Sequence, residues 1–259
     1  MAAWRHARFL VAFWPLLFAS AWPQQAAAPS AFTFDVASIR RSANTEKRTR
    51  IFRHPDDTEF VAANVGLRAL LQFAFGVSDT RVLGVPPQLE SARFDVQAKG
   101  DIDTDARFRR LNPEQARTAK QAMMQKLLAE RFQLTMHFET RELPVYALVV
   151  AKGGAKLQTS DEQYTSGWSG WTHINVEGGD SLNRFAEELT RVAGRPVVNR
   201  TGLTGHYNIE FEWSDDDDQD SDAATLFTAI REQLGLRLEP QKAPVQVVVV
   251  DRIALPSPN

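Results

Sequence analysis

A chain of 259 residues without a single cysteine has no disulfide to brace it and no thiolate for metal or covalent chemistry, so a hydrophobic core must supply its stability. Its 30 Lys and Arg against 32 Asp and Glu give a formal net charge of −2, which excludes the broadly basic surface of a nucleic-acid binder.

The first elements in the chain are a leader and a linker. Arg5, His6 and Arg8 precede an uncharged apolar run at 9–18 (FLVAFWPLLF), followed by Ala19-Ser20-Ala21. A basic start, a short apolar stretch and a small-x-small site form the pattern of a cleavable signal peptide over 1–21. Residues 9–21 number 13 and include Pro15, too few to cross a bilayer, which takes roughly 20. An uncleaved anchor is the alternative. No twin-Arg pair precedes the apolar run, so export by the general secretory route is expected, to the periplasm or the cell exterior. Cleavage removes two Arg and no acid, leaving 28 cations against 32 anions and a net charge of −4. Residues 22–31 read as a linker, and no later stretch is long or apolar enough to span a membrane.

Strand-type segments are expected at 32–39, 60–62, 94–98, 134–138 and 145–151, and again at 174–176, 207–213, 236–238 and 245–250. Four amphipathic helices lie between them. The first takes Asn64 as cap, buries Leu67, Leu70, Leu71 and Ala74, and stops at Gly76. The second opens with Asn112-Pro113 and runs through Ala116, Ala119, Met123, Leu127 and Leu128. The third has Asp180 as cap and the stripe Leu182, Phe185, Ala186, Leu189 and Val192, ending at Gly194. The fourth has Asp222 as cap, then Leu226, Phe227, Ile230 and Leu234, with Gly235 as its stop.

The two sets of elements run in matching order. Helix 64–75, Val82-Leu83 and strand 94–96 correspond to helix 181–193, Val197-Val198 and strand 207–209. LLAERFQL (127–134) corresponds to AIREQLGL (229–236), and LPVYALVV (143–150) to APVQVVVV (243–250), each after a connection containing Pro144 or Pro244. A fixed order of matched elements is the mark of an internal duplication. The expected fold is α+β: two similar β-α-β-β-α-β-β halves, 32–152 and 174–259, each with two helices on a small mixed sheet. A Gly/Ser/Thr-rich connector at 153–173 separates them.

No reactive motif emerges. His54, His137, His173 and His206 are far apart and form no H-E-x-x-H, so no metal site and no cofactor is expected. The acidic run 215–222 fails as an EF-hand loop: counted from Asp216, Ser221 stands where Gly belongs and Phe227 where the bidentate Glu belongs. It reads as a solvated loop. Gly167-Trp168-Ser169-Gly170-Trp171 falls one residue short of a G-x-S-x-G elbow, and no Lys lies three residues after a Ser, so no catalytic residue is expected either. Gly202-Leu203-Thr204-Gly205 reads as a turn. The candidate contact residues are Trp168 and Trp171, set among Gly and Ser, where large rings either meet a partner or fold back on the sheet.

The stretches FDVASIRRS (34–42), NVGLRALLQFAFGV (64–77), RPVVNRTGLTGHYNIEFEW (195–213) and LFTAIREQLGLRLEPQKAPVQVVVVDRI (226–253) resemble a large paralogous family of exported soil-bacterial (acidobacterial) proteins built on a domain of unknown function. The resemblance implies export and membership, and carries no activity. Some relatives attach the domain to membrane metallopeptidases of the β-lactam-sensor type, whose transmembrane helices and zinc motif this chain lacks. Residues 181–236 also resemble, in architecture, the short N-terminal signalling module of secretins and TonB-dependent receptors. The function expected is that of a non-enzymatic envelope or secreted module binding a protein, peptide or glycan. The alternatives are an exported hydrolase using carboxylates or His, and a small-ligand sensor. The leader gives the first test: chain recovered from producing cells is expected to begin at Trp22 by N-terminal sequencing, and an intact Met1 in the membrane fraction would establish the anchor instead.

Overall fold

The computed structural model describes residues 32–43, 49–53, 57–160, 166–169, 173–214 and 225–256. Strands β1 (Val36–Arg41), β2 (Arg50–Arg53) and β3 (Phe60–Gly66) come first, then helix α1 (Leu67–Phe75), strand β4 (Val82–Leu83), the one-turn helix α2 (Pro87–Glu90) and strand β5 (Arg93–Lys99). Helices α3 (Ile102–Phe108) and α4 (Pro113–Arg131) lead into the long strand β6 (Thr135–Val150). Then follow β7 (Gln158–Ser160), β8 (Ser166–Ser169), β9 (His173–Ser181), α5 (Leu182–Val192), β10 (Val197–Asn199), β11 (His206–Glu212), α6 (Leu226–Leu234) and β12 (Leu236–Arg252). The class is α+β, as the sequence predicts.

Among the described residues the strands form three four-stranded sheets. One runs β1-β5-β3-β2 and another β7-β11-β9-β8, both antiparallel throughout. The same strand order therefore recurs in the two helix-backed sheets. The third, β10-β6-β12-β4, is mixed: β6 and β12 are antiparallel, while β10 and β4 lie parallel to them. Each short outer strand sits on the long strand of the opposite half.

The helices start and stop for local reasons. Asn112 forms a full capping box on α4: its side chain accepts from Gln115 N at 2.9 Å and its own N–H donates to Gln115 Oε1 at 3.1 Å. Gly76 and Gly235 end α1 and α6 in the left-handed region at φ 61° and 64°. At Gly235 an added Cβ would stand 2.2 Å from the Gly154 carbonyl, so both the dihedral and the close approach require Gly. Three expected caps are displaced. Asn64 belongs to β3, at a register shift, where it adopts φ 55° and donates its N–H to Asp95 Oδ1 at 2.8 Å; α1 begins after Gly66. Ser181, and not Asp180, caps α5 by accepting from Arg184 N. Thr225 precedes α6, and Asp222 lies outside the described residues.

The sequence predicts separate strands on either side of Pro144 and Pro244, but β6 and β12 pass straight through both prolines. The hydrogen-bond pattern explains why. Tyr146 N donates to Pro196 O, and Arg200 N donates to Leu148 O, both at 2.9 Å. Even-numbered residues of β6 thus turn their backbone groups toward β10, and odd-numbered ones toward β12. Pro144 is even-numbered and lies beyond the end of β10, so its missing N–H costs no ladder bond. On β12, Pro240 and Pro244 stand opposite Tyr146 and Glu142 and also face away from β6.

Two cores result. Leu67, Leu70, Leu71 and Ala74 of α1 and Met124, Leu127 and Leu128 of α4 pack on Phe60, Phe94 and Val96, with Val250 of β12 joining them. Leu182, Phe185 and Leu189 of α5 with Ile230 and Leu234 of α6 pack on Ile209 and Phe211, and Leu148 of β6 joins this second core. Met123 and Met124 are fully buried, as their helical spacing requires. The halves also touch directly. Arg117 of α4 lies 3.5 Å from Glu187 of α5, and Arg81 Nε donates to Gln246 O at 2.7 Å. Burial pulls the Arg81 guanidinium down and pushes the Glu187 carboxyl up, each partly offset by the opposite charges nearby.

A buried polar knot fastens α3 to the first sheet. The N–H of Thr58 donates to Asp105 Oδ1 at 3.0 Å, its hydroxyl donates to the same oxygen, and Gly100 N donates to Thr58 Oγ1 at 2.8 Å. Burial pushes the Asp105 carboxyl up, but the Thr58 donors and the Lys99 and Arg109 charges outweigh it and hold the group below the usual Asp value. A depressed folded value gives stability that is present above the unfolded value of about 3.9 and lost as pH falls through the folded one. Asp105→Asn is therefore expected to cost about 2 kcal/mol in urea denaturation at neutral pH, with the gap to the native chain narrowing as pH drops below about 3.9. A gap that stays constant across that range would assign the loss to shape instead of charge.

Candidate functional site

Among the described residues, the structure does not gather the chemistry-bearing side chains into a cleft. His137 Nδ1 lies 2.9 and 3.0 Å from the two oxygens of Asp251, where β6 meets the end of β12. His173 Nδ1 lies 2.9 Å from Glu212 Oε1, between β9 and β11. A carboxylate on Nδ1 orients an imidazole and leaves Nε2 for proton transfer, but the two pairs sit on different sheets and do not converge. His206 is exposed at the start of β11, and His54 lies outside the described residues. Among the described residues no group of three or more His, Asp or Glu is placed to hold a metal ion.

Trp168 stands on β8, opposite Asn175 of β9, so the segment expected to be a loop is hydrogen-bonded strand at that point. The Trp168 side chain, the whole of Trp171 and the acidic run 215–222 lie outside the described residues.

A surface that sequence reasoning did not single out lies on the first sheet. Ser42 N donates to Arg93 O at 2.9 Å, in the register that pairs Val36 with Lys99 and Arg40 with Asp95. Even-numbered residues of β1 thus bond to β5, while Ala37, Ile39 and Arg41 turn their N–H and C=O groups to the open edge of the sheet. At that edge, Arg131 from the last turn of α4 donates to the Ala37 carbonyl at 3.1 Å. The side chains obey the same alternation. Ile39 is buried in the first core, and Val36, Ser38 and Arg40 project from the outer face, where Val36 is 64% exposed.

Beside this edge runs an open groove of about 620 Å³ across β1, β5 and β3. Val36, Val61 and Gln97 line it together with the charged Arg40, Lys99 and Glu59. The surrounding half is basic: residues 32–152 hold 19 Lys and Arg against 15 Asp and Glu, whereas 153–259 hold 9 against 17. The whole-chain balance hides this split. Counting the halves separately would have revealed it from sequence.

Fold and surface together define an α+β protein of two helix-backed antiparallel sheets joined by a shared mixed one. The chain belongs to the DUF3738 family, proteins of unknown function, whose model matches residues 68–253. Strands β1 to β3 precede the matched span. No curated protein and no solved structure matches the chain. Among the described residues no helix is long and apolar enough to cross a membrane.

The His137–Asp251 pair is about half exposed on both sides, a setting in which ion pairs contribute little. His137→Ala is expected to change urea-denaturation stability by less than about 1 kcal/mol; a larger loss would reveal a structural duty for the pair.

Proposed function

We propose that the mature protein is an exported, non-enzymatic module that binds a protein or peptide partner along the β1 edge and the adjoining groove. One observation carries the reading: β1 presents a run of edge-facing backbone groups at Ala37, Ile39 and Arg41, next to an open groove with Val36 exposed in it. An exposed strand edge binds by accepting one more strand, whose main chain supplies affinity while the flanking groove reads its side chains. The likeness of the α5–α6 half to a signalling module that works by protein contact favours the same reading. A glycan partner rests on the two Trp alone. The hydrolase alternative needs a substrate cleft beside a carboxylate–His pair, and neither His137–Asp251 nor His173–Glu212 lines the groove. The sensor alternative needs an enclosed apolar pocket, whereas the groove is open and carries three charged side chains.

Photo-crosslinking in producing cells tests the proposal. A photoreactive residue at Val36 is expected to trap a discrete partner, identifiable by mass spectrometry, while one at Phe227, exposed on α6 of the other half, traps none. Identical products from both positions, or none from Val36, would count against the proposal. So would turnover of a peptide, ester or glycoside substrate by the purified chain that disappears in His137→Ala.

A further inference from the structure

Resting on that reading, we infer that Arg131 is a displaceable plug on the β1 edge: it closes the Ala37 end of the strand at rest and leaves when a partner strand is added. Its Nη1 lies 3.1 Å from the Ala37 carbonyl, one of the edge-facing backbone groups. A strand added to an edge runs about 4.8 Å away and brings its own backbone nitrogen to about 2.9 Å from such a carbonyl. The guanidinium and an added strand therefore claim the same space. They cannot share it.

The plug is partial, and its chemistry shows where. A guanidinium donates and has no acceptor, so Arg131 satisfies a carbonyl but none of the outward N–H groups of Ala37, Ile39 and Arg41. The second half carries the complete form of the same device. In the matched segments LLAERFQL (127–134) and AIREQLGL (229–236), Gln233 holds the place of Arg131. It too reaches from the last turn of a helix to the backbone of a strand. β7 extends along β11 only as far as Asn208. Further on, Gln233 Nε2 donates to Glu212 O at 2.8 Å and its Oε1 accepts from Glu212 N at 3.2 Å. An amide satisfies both backbone groups of a residue, as a strand would, whereas an arginine satisfies only one. The β1 edge is thus shut at Ala37 and left able to pair at Ile39 and Arg41, a foothold from which an incoming strand displaces the side chain.

Displacement is a local event. Leu127 and Leu128 bury the end of α4 in the first core, so the backbone of Arg131 stays fixed and only its side chain moves. Rotamer changes of this kind are common where partners meet. The released cation remains at the C-terminal end of α4, where the helix dipole favours it. What the partner must overcome is one hydrogen bond, a factor of about five in affinity.

The test uses the chain from Trp22 onward and a labelled, end-capped peptide of about eight alternating Thr and Val residues, uncharged so that Arg131 acts on it only as a plug. By fluorescence anisotropy, Arg131→Met, which keeps the stem and loses the donors, is expected to bind the peptide about fivefold more tightly than the native chain. Arg131→Lys keeps a donor and is expected to stay within about twofold of native. N-methylation of alternate amides should abolish binding to all three, since an added strand bonds through its main chain. A second measurement needs no substitution. In NMR of the native chain, the side-chain N–H signals of Arg131 are expected to shift and to exchange faster with water when the peptide binds, while those of Arg231 on α6 stay unchanged. Equal affinities of the native and Arg131→Met chains, or Arg131 signals unmoved by bound peptide, overturn the inference and leave the edge-binding reading standing. Binding indifferent to N-methylation also overturns it, by placing the peptide away from the edge. If no chain binds the peptide, the plug falls; if Val36 in addition traps no partner, the binding module falls with it.

Discussion

Strands β6 and β12 pair over sixteen register positions, from Val150 opposite Leu236 to Thr135 opposite Arg252, and each is the last strand of its half. Near the middle, Leu143 faces Ala243, the two residues that open the matched segments LPVYALVV and APVQVVVV. Each half then lends its short strand to the other's long one, β4 lying on β12 and β10 on β6. The cores inherit this exchange: Leu148 of β6 is buried with α5 and α6, and Val250 of β12 with α1 and α4. Neither half can complete its hydrophobic core from its own residues. The price is a set of contacts between residues about a hundred positions apart, which must be closed against chain entropy before they return stability.

Much of the local structure was legible because its causes are local. The Asn112-Pro113 start, the Gly76 and Gly235 stops and the apolar stripe on each helix are visible within a few residues and hold in three dimensions. The misreadings share one source: a residue type that serves two local purposes. Asn is a helix cap and also a residue that tolerates the left-handed region. At position 64 the second property is used, in a kinked strand whose N–H meets Asp95 thirty-one residues away. Proline breaks a strand only where the ladder needs its N–H, and whether positions 144 and 244 face a neighbour depends on where β10 and β4 end. Nothing adjacent in sequence records that.

The candidate surface was hidden for a related reason. The alternation of Val36, Ser38 and Arg40 against Ala37, Ile39 and Arg41 is plain in the sequence and predicts a half-buried strand. That β1 is an edge strand, and that its open side is the one shared with Arg131, depends on the order β1-β5-β3-β2. Aromatic residues drew the eye to Trp168 and Trp171 because a bulky ring is conspicuous in any sequence, whereas edge-facing amides carry no residue signature at all. The charge split was accessible from the start and was masked by summing over the chain.

The recurring strand order also shows how one scaffold can yield two unlike edges. In β1-β5-β3-β2 and β7-β11-β9-β8 the strands β1 and β7 hold equivalent places. β1 spans six residues and carries Arg40 and Arg41; β7 spans three, Gln158–Ser160, and belongs to the acidic half. A very short edge strand is one of the ways a sheet protects itself from unwanted pairing, and β7 meets that description. The longer β1 edge carries Arg40 and Arg41, and charge on an edge is another of those ways. Two sheets of the same order therefore differ at their edges, because edge length and a few arginines are set independently of the buried positions that build the sheets.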